Sequence, residues 1–329
     1  ACDLLEKGGL VVFPTETVYG IAANLLNAAS IERLAKVKSR PENKQFSVHV
    51  ADKDEIEKYA VDILPRAYKM IDMFWPGPLT LVLKAPGGKS VGLRMPKNEI
   101  ARRLIRNCDF PIVAPSANLA GKTPPSSIES AVRDLNGLVD LILDCGPTEL
   151  GAESTVLDAR DLPFAVLREG YLKKDDVLSA TARKQVLFVC TGNSCRSVMA
   201  EYILKKILQD KGRDDVDVVS AGTMAFGMAP TRETLKLIDE LGLDASDHRA
   251  RHINTDLLRT SDLVLVMENK HRSDVVHLFP SAASRVHVLG EMAGYANSDR
   301  EIADPIGRSE EFYKMTFEKI KAAIERLDI

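Results

Sequence analysis

The sequence has 329 residues, 45% of them hydrophobic and 28% charged, with 44 Lys+Arg against 47 Asp+Glu and a formal net charge of -3. A chain of this length and apolar content has material for two domains with cores of their own, which excludes a disordered or collagen-like protein. No apolar run approaches the roughly 18 residues of a membrane span, residues 1–9 lack a basic start followed by an apolar signal core, and neither half has the basic excess of a nucleic-acid-binding domain.

Residues 9–13 and 79–83 are short β-branched runs bounded by Gly and Pro and are expected as strands, while residues 30–38 and 55–74 carry helical spacing of Leu, Ile and Ala. Further strands are expected at 112–114, 138–143, 154–157 and 165–167, with a loop at 120–127. Several connections are too short for helices, so the first half is expected to hold a mixed sheet. Residues 173–184, within a charged and small-residue stretch, are expected to be a linker between domains at 1–172 and 185–329. After it come strand 185–190, helix 197–211, strand 217–220, helix 231–241 and strand 263–267. Such βα alternation predicts a three-layer α/β/α domain with a parallel sheet and a ligand site at the carboxyl ends of its strands.

The sharpest signal in the second half is a strand ending on Cys190, then Thr191, Gly192, Asn193, Ser194 and Cys195, then Arg196, Ser197 and a helix. Backbone N–H groups of a tight loop at a helix N-terminus point inward at an oxyanion, and Arg196 adds a fork for two of its oxygens. The same field favours the Cys190 thiolate, which can attack phosphorus in line and form a phosphocysteine that water hydrolyses. Asp304, in Asp304-Pro305, supplies a general acid for the leaving group. A bare Cys-x5-Arg is often only a buried thiol beside a solvated charge; here strand, Gly-Asn loop, helix and Asp-Pro arrive in order. A zinc site at Cys190 and Cys195 lacks further ligands at suitable spacing, and no metal is expected in this domain.

Residues 185–329 resemble the low-molecular-weight protein tyrosine phosphatases. The resemblance implies that Cys190 is the nucleophile, Arg196 the phosphate clamp, Ser197 a hydroxyl partner of the thiolate, Asn193 a loop-shaping residue held by Ser220, and Asp304 the acid. It also implies that Cys195 traps oxidised Cys190 as a disulfide, and a thiol redox sensor is the rival reading. Ile306-Gly307 follows the Asp-Pro where tyrosine-specific relatives carry aromatics, leaving Phe226 as a candidate wall. Loop position 194 is Ser, where tyrosine-specific relatives carry an aliphatic residue and protein arginine phosphatases carry Thr. The expected substrates are phosphorylated proteins, with phosphoarginine favoured slightly over phosphotyrosine.

The first half has neither a Walker loop nor Gly-x-Gly-x-x-Gly. Its distinctive phrases are Pro14-Thr-Glu-Thr-Val-Tyr-Gly20, Lys38-Ser-Arg40-Pro41, Ser47-Val-His49, Pro76-Gly-Pro-Leu-Thr80, Pro115-Ser116-Ala-Asn118 and Glu153-Ser154-Thr155. In this order they resemble the Sua5/YrdC/YciO family across about residues 1–172, a mixed twisted sheet with helices, and in particular its threonylcarbamoyl-AMP synthases. The resemblance implies that L-threonine, bicarbonate and ATP, the last as its Mg2+ complex, yield threonylcarbamoyl-adenylate and pyrophosphate. No tightly bound cofactor is expected, and the partners are downstream tRNA-modification proteins. Lys38 and Arg40 suit the phosphates, the Ser116 and Asn118 loop the nucleotide, and Arg94 the threonine carboxylate. By family position Thr17, His49, Ala114 and Ser154 line the threonine site, while Lys44, Ser90, Ser116, Pro124 and Arg168 surround ATP. Lys44-Gln45 replaces the Asn-Pro common in relatives, which makes that contact cationic. The start close to Gly8-Gly9 suggests a shortened lid or first helix. A non-catalytic RNA- or nucleotide-binding module is the rival reading. The whole enzyme is expected in the cytoplasm.

Overall fold

A computed structural model describes residues 1–39 and 45–329, so the sequence candidates Arg40 and Lys44 lie outside the described residues. The chain separates into two compact units, Ala1–Thr181 and Ala182–Ile329. No helix among the described residues is long and apolar enough to cross a membrane.

The first unit is built on a mixed sheet with the strand order Leu141–Ile142, Val11–Phe13, Gly20–Asn24, Ile112–Val113, Val48–His49, Lys89–Arg94, Leu79–Ala85, Thr155–Asp158, Ala165–Arg168. Strand periodicity sends alternate side chains to opposite faces. Leu10 and Val12 join the larger core with Tyr19, Ile21, Leu79 and Leu81, while Val11 and Phe13 pack on the other face with Leu5, Ala101, Leu104 and Ile105. Helix Ala28–Val37 starts where Asn27 accepts the Ser30 N–H at 3.0 Å, a side-chain cap for a donor the helix itself cannot satisfy.

Residues 55–74 are not the single helix that their spacing suggests. They divide into a 3-10 turn over Lys53–Lys58 and a helix over Pro65–Phe74. Pro65 is the cause: it disfavours helical backbone at the preceding residue, and Leu64 is extended with ψ 144°. The stretch expected as a linker also carries structure, because Lys174–Ala182 is helical and its fully buried Val177 belongs to the first unit's core.

The second unit has four parallel strands in the order Val216–Gly222, Lys184–Cys190, Leu263–Val266, Val286–Val288. Val186, Phe188 and Cys190 face a core shared with helices Arg196–Asp210 and Glu310–Glu325; Leu187 and Val189 face another shared with Leu258 and Val275. Helices on both faces complete the three layers. The central strand therefore delivers Cys190 to the carboxyl end of the sheet, where the loop to the next helix begins.

Candidate active sites

In the second unit the loop between strand and helix is held from several sides. Asn193 has φ 50°, a left-handed conformation that Asn tolerates better than most residues. Its Nδ2 donates to Ser197 Oγ at 3.0 Å and Ser220 Oγ at 2.8 Å, while its Oδ1 accepts the Arg251 N–H at 2.9 Å. Ser220 in turn donates to Glu201 at 2.5 Å. A Cβ on Gly222 would stand 2.5 Å from Thr191 O and 2.9 Å from Asn193 N, so the loop can approach this strand only across a glycine. The sequence points to Ser220 but carries no signal for Glu201, Arg251 or His248, whose Nε2 is 3.3 Å from Asn193 O.

Cys190 is buried at the base of this loop, its Sγ accepting the Asn193 N–H at 3.3 Å and lying 3.0 Å from Ser197 Oγ. These contacts suit a sulfur carrying negative charge. Arg196 is 1% exposed. Its Nη1 donates to Glu268 at 2.5 Å and to Ile302 O at 2.9 Å, and its Nη2 to Asp304 at 2.5 Å. Its Nε is buried with no hydrogen-bond partner. A guanidinium held along one edge, with a buried donor left over, is prepared for an incoming oxyanion. Burial pushes the Glu268 carboxyl up, but Arg196 and Lys270 outweigh it and hold it below the usual carboxylate range. Nothing in the local sequence signals Glu268, which follows the neighbouring strand Leu263–Val266 at its carboxyl end.

The structure thus brings Cys190, Asn193, Arg196, Ser197 and Asp304 together from one local motif and one distant loop. Thr191 and Ser194 stand in that loop, and Cys195 is buried with its Sγ 3.5 Å from Tyr313 Oη. Two side chains near this loop are strongly exposed: Phe226 at 79% and, two residues after Asp304, Ile306 at 59%.

The first unit contains a cleft of about 940 Å³ lined by Lys38, His49, Ser90, Arg94, Ala114, Ser116, Ser154 and Arg168, among others. The sheet explains why these meet. Strands Val48–His49 and Lys89–Arg94 run parallel with His49 opposite Arg94, and His49 also pairs with Ile112, two residues before Ala114. Arg94 is buried, its Nη2 donating to Glu16 at 2.6 Å and Thr17 at 2.7 Å, while its Nε has no partner. His49 Nδ1 is likewise buried without a partner. Burial, and then the Arg94 charge, pushes this imidazole down to about 3, so it stays neutral.

Across the cleft, Ser154 Oγ lies 2.9 Å from Thr80 Oγ1, and Arg168 donates to the Ser154 carbonyl at 2.8 Å and to Glu153 at 2.7 Å. A Cβ on Gly170 would come within 2.3 Å of Glu153 O, so glycine is required for this crossing. Lys38 Nζ donates to Ser116 O, Asn118 O and Asn118 Oδ1 at 2.6–3.0 Å, tying helix to loop. Thr17 and Asn118 stand just behind the lining through these bonds, and Pro124 lies outside it. Lys36 is exposed and paired with Glu32 at 2.7 Å. Glu16 escaped sequence reasoning; the available signal was an acid enclosed by Thr15 and Thr17 in an otherwise apolar phrase.

Comparison with known proteins fits this division. Residues 3–170 match the Sua5/YciO/YrdC family model, described as "Telomere recombination", and residues 185–328 match that of the low molecular weight phosphotyrosine protein phosphatases. A threonylcarbamoyl-AMP synthase of Pyrococcus abyssi is 39% identical over 186 residues, covering 54% of this chain and 55% of the relative. One from Bacillus subtilis is 38% identical over 187 residues, with 54% of each chain covered. The chain thus spans about half the length of these relatives. The solved structure of P. abyssi Sua5 complexed with L-threonine is 26% identical, with a TM-score of 0.52, 87% of this chain and 94% of that one being covered. The chain belongs to the Sua5/YciO/YrdC family through its first unit and carries a low-molecular-weight phosphotyrosine protein phosphatase domain as its second.

Proposed function

We propose that the chain is a bifunctional enzyme, domains 1–172 and 185–329 carrying a threonylcarbamoyl-AMP synthase and a cysteine-dependent phosphatase. The observation that supports the first activity best is the pair of unpartnered buried nitrogens, Arg94 Nε and His49 Nδ1, on residues that line the cleft. Arg94 takes the threonine carboxylate and neutral His49 its polar groups, with Thr17 fixing Arg94 from behind and Ala114 and Ser154 completing the wall. Threonine nitrogen attacks bicarbonate carbon, and loss of water gives the carbamate. A carbamate oxygen then attacks the α-phosphorus of MgATP, and pyrophosphate leaves. Lys38, with Arg40 and Lys44, offsets the growing negative charge, while Ser90, Ser116 and Arg168 hold the nucleotide, backed by Asn118. Such a product feeds tRNA-modification proteins, and the enzyme works in the cytoplasm. Pyrophosphate release from ATP that requires both threonine and bicarbonate tests this reading; none would leave a nucleotide-binding module.

In the second domain the Cys190 thiolate attacks phosphorus, Asp304 protonates the leaving group, and Arg196 with the loop N–H groups holds the equatorial oxygens. Water then breaks the S–P bond as Asp304 takes its proton. Two observations support this reading: Arg196 is fully buried with a spare Nε, and the Cys190 sulfur accepts the Asn193 N–H. Phosphoarginine is the favoured substrate over phosphotyrosine. Ser194 Oγ lies within the loop, 3.4 Å from where a Gly192 Cβ would stand, and can accept a guanidinium N–H. Exposed Phe226 and Ile306 offer only one flat ring. Matched phosphoarginine and phosphotyrosine peptides should show an arginine preference in kcat/KM that Ser194→Ile removes. A tyrosine preference in the parent chain would reverse the assignment.

A further inference from the structure

His271 is fully buried in the first turn of helix Asn269–Leu278 and has no part in the mechanism above. Its Nε2 lies 2.9 Å from Thr191 Oγ1, and its Nδ1 is buried without a hydrogen-bond partner. Burial, followed by the Arg196 charge, pushes the imidazole down to about 4, so it carries one ring proton at neutral pH. A proton on Nδ1 would be a buried donor with no acceptor. Placed on Nε2 it is donated to Thr191, and only a bare ring nitrogen goes unsatisfied, which is the less costly omission.

Thr191 Oγ1 also accepts from Arg196 Nη2 at 3.4 Å, the same nitrogen that holds Asp304. Two donors then occupy the Thr191 oxygen, so its own O–H must point away from both. No described residue accepts that proton. Thr191 is only half-buried, beside the end of the Arg196 fork. The hydroxyl hydrogen is thus left for a group that enters the site.

We propose that Thr191 is an additional oxyanion donor of the phosphatase site and that His271 is the positioning residue that aims its hydroxyl. This rests on the reading of Cys190 and Arg196 given above. A phosphoryl oxygen that takes the place of Asp304 on Arg196 Nη2 comes within reach of the Thr191 O–H. Because His271 sets the direction in advance, no reorientation is needed as charge builds on that oxygen during attack.

The experiment is p-nitrophenyl phosphate hydrolysis by the full chain. Thr191→Val, close in shape, lowers kcat about tenfold with KM within about threefold, and Thr191→Ser loses less than threefold, as one donor among several would. His271→Leu falls to the level of Thr191→Val. His271→Gln, which restores an amide donor near the Nε2 position, recovers to within about threefold of the parent. The double variant Thr191→Val/His271→Leu is no worse than either single, as expected of residues acting through one bond. Multiplying losses in the double variant, a Gln variant as poor as Leu, or a Thr191→Val chain with undiminished kcat each overturns the proposal. If His271→Leu does not fold, the Thr191 pair and His271→Gln still decide. Parent turnover that survives Cys190→Ser would instead sink the underlying phosphatase reading.

Discussion

Replacing Arg94 separates what the cleft binds from what holds it together. Arg94 and Glu16 form a 2.6 Å ion pair with side chains only 7% and 1% exposed, and Arg94 also supports Thr17 at 2.7 Å. Arg94→Gln leaves the Glu16 carboxylate buried without its charge partner, a change that costs about 3–5 kcal/mol in comparable pairs. In the proposed synthase, the same substitution also removes the guanidinium that takes the threonine carboxylate. Truncating one partner of a buried charge pair costs about 2–5 kcal/mol, and at about 1.4 kcal/mol per factor of ten the lower value already weakens threonine about thirtyfold. The two effects part in Arg94→Gln/Glu16→Gln. With both charges removed the thermal midpoint returns most of the way to that of the parent, while threonine binding stays weak. The assay is threonine- and bicarbonate-dependent pyrophosphate release, with KM for threonine and for ATP measured separately beside thermal unfolding. KM for threonine should rise at least about thirtyfold in both variants and KM for ATP less than threefold. A stable double variant with threonine KM within threefold of the parent would refute the assignment of Arg94.

Three other outcomes are expected. Asp304→Asn should slow phosphate release most for substrates with poor leaving groups and least for a nitrophenyl ester, since only the former need a proton in the transition state; equal losses on both contradict the acid role. His49 and His271 are held neutral at about 3 and about 4, below the ordinary histidine value, so the unfolded chain binds more protons than the native one below about pH 6.5. Stability should therefore decline as pH falls from about 6.5, by about 1.4 kcal/mol per unit for each histidine, and level off near those values; denaturant titrations of His271→Gln that keep the parent slope between pH 6.5 and 4 would contradict this. Cys108 donates its S–H to Cys2 sulfur at 3.0 Å, and burial pushes the Cys108 thiol up to about 12; the two sulfurs stand close enough for thiol–disulfide exchange to join them. Oxidised glutathione should close these two into a disulfide with release of two glutathione thiols. Peptide mapping that finds both reduced while exposed Cys145 is modified would contradict it.

The phosphatase loop was legible because its chemistry is local. Strand, cysteine, five loop residues, arginine and helix are contiguous, and backbone N–H groups at a helix start need no distant residue to form an anion cradle. Its supports were not legible. Glu268, His271 and Arg251 come to the loop from distant segments, and no spacing in the chain announces a partner 72 or 58 residues away; Glu201, on the helix that follows the loop, bonds Ser220 of the neighbouring strand. The synthase cleft shows the reverse balance. Its residues come as scattered phrases whose meeting depends on sheet order, such as the His49 and Arg94 register, so they were found by resemblance more than by spacing. Short strands such as Val48–His49 carry too little pattern to be read alone. The single helix expected over 55–74 failed because apolar spacing outweighed Pro65, and the helix at Lys174–Ala182 was missed because its charged surface resembles a linker.

The proposed enzyme runs two chemistries at two separate sites of one chain. Its most direct test measures both products from one purified preparation: pyrophosphate made from ATP with threonine and bicarbonate, and phosphate released from phosphoarginine and phosphotyrosine peptides, before and after Cys190→Ser. Both products are expected from the parent, and loss of phosphate alone from the variant. Phosphate release that persists without Cys190, or pyrophosphate release that does not depend on threonine, would contradict it.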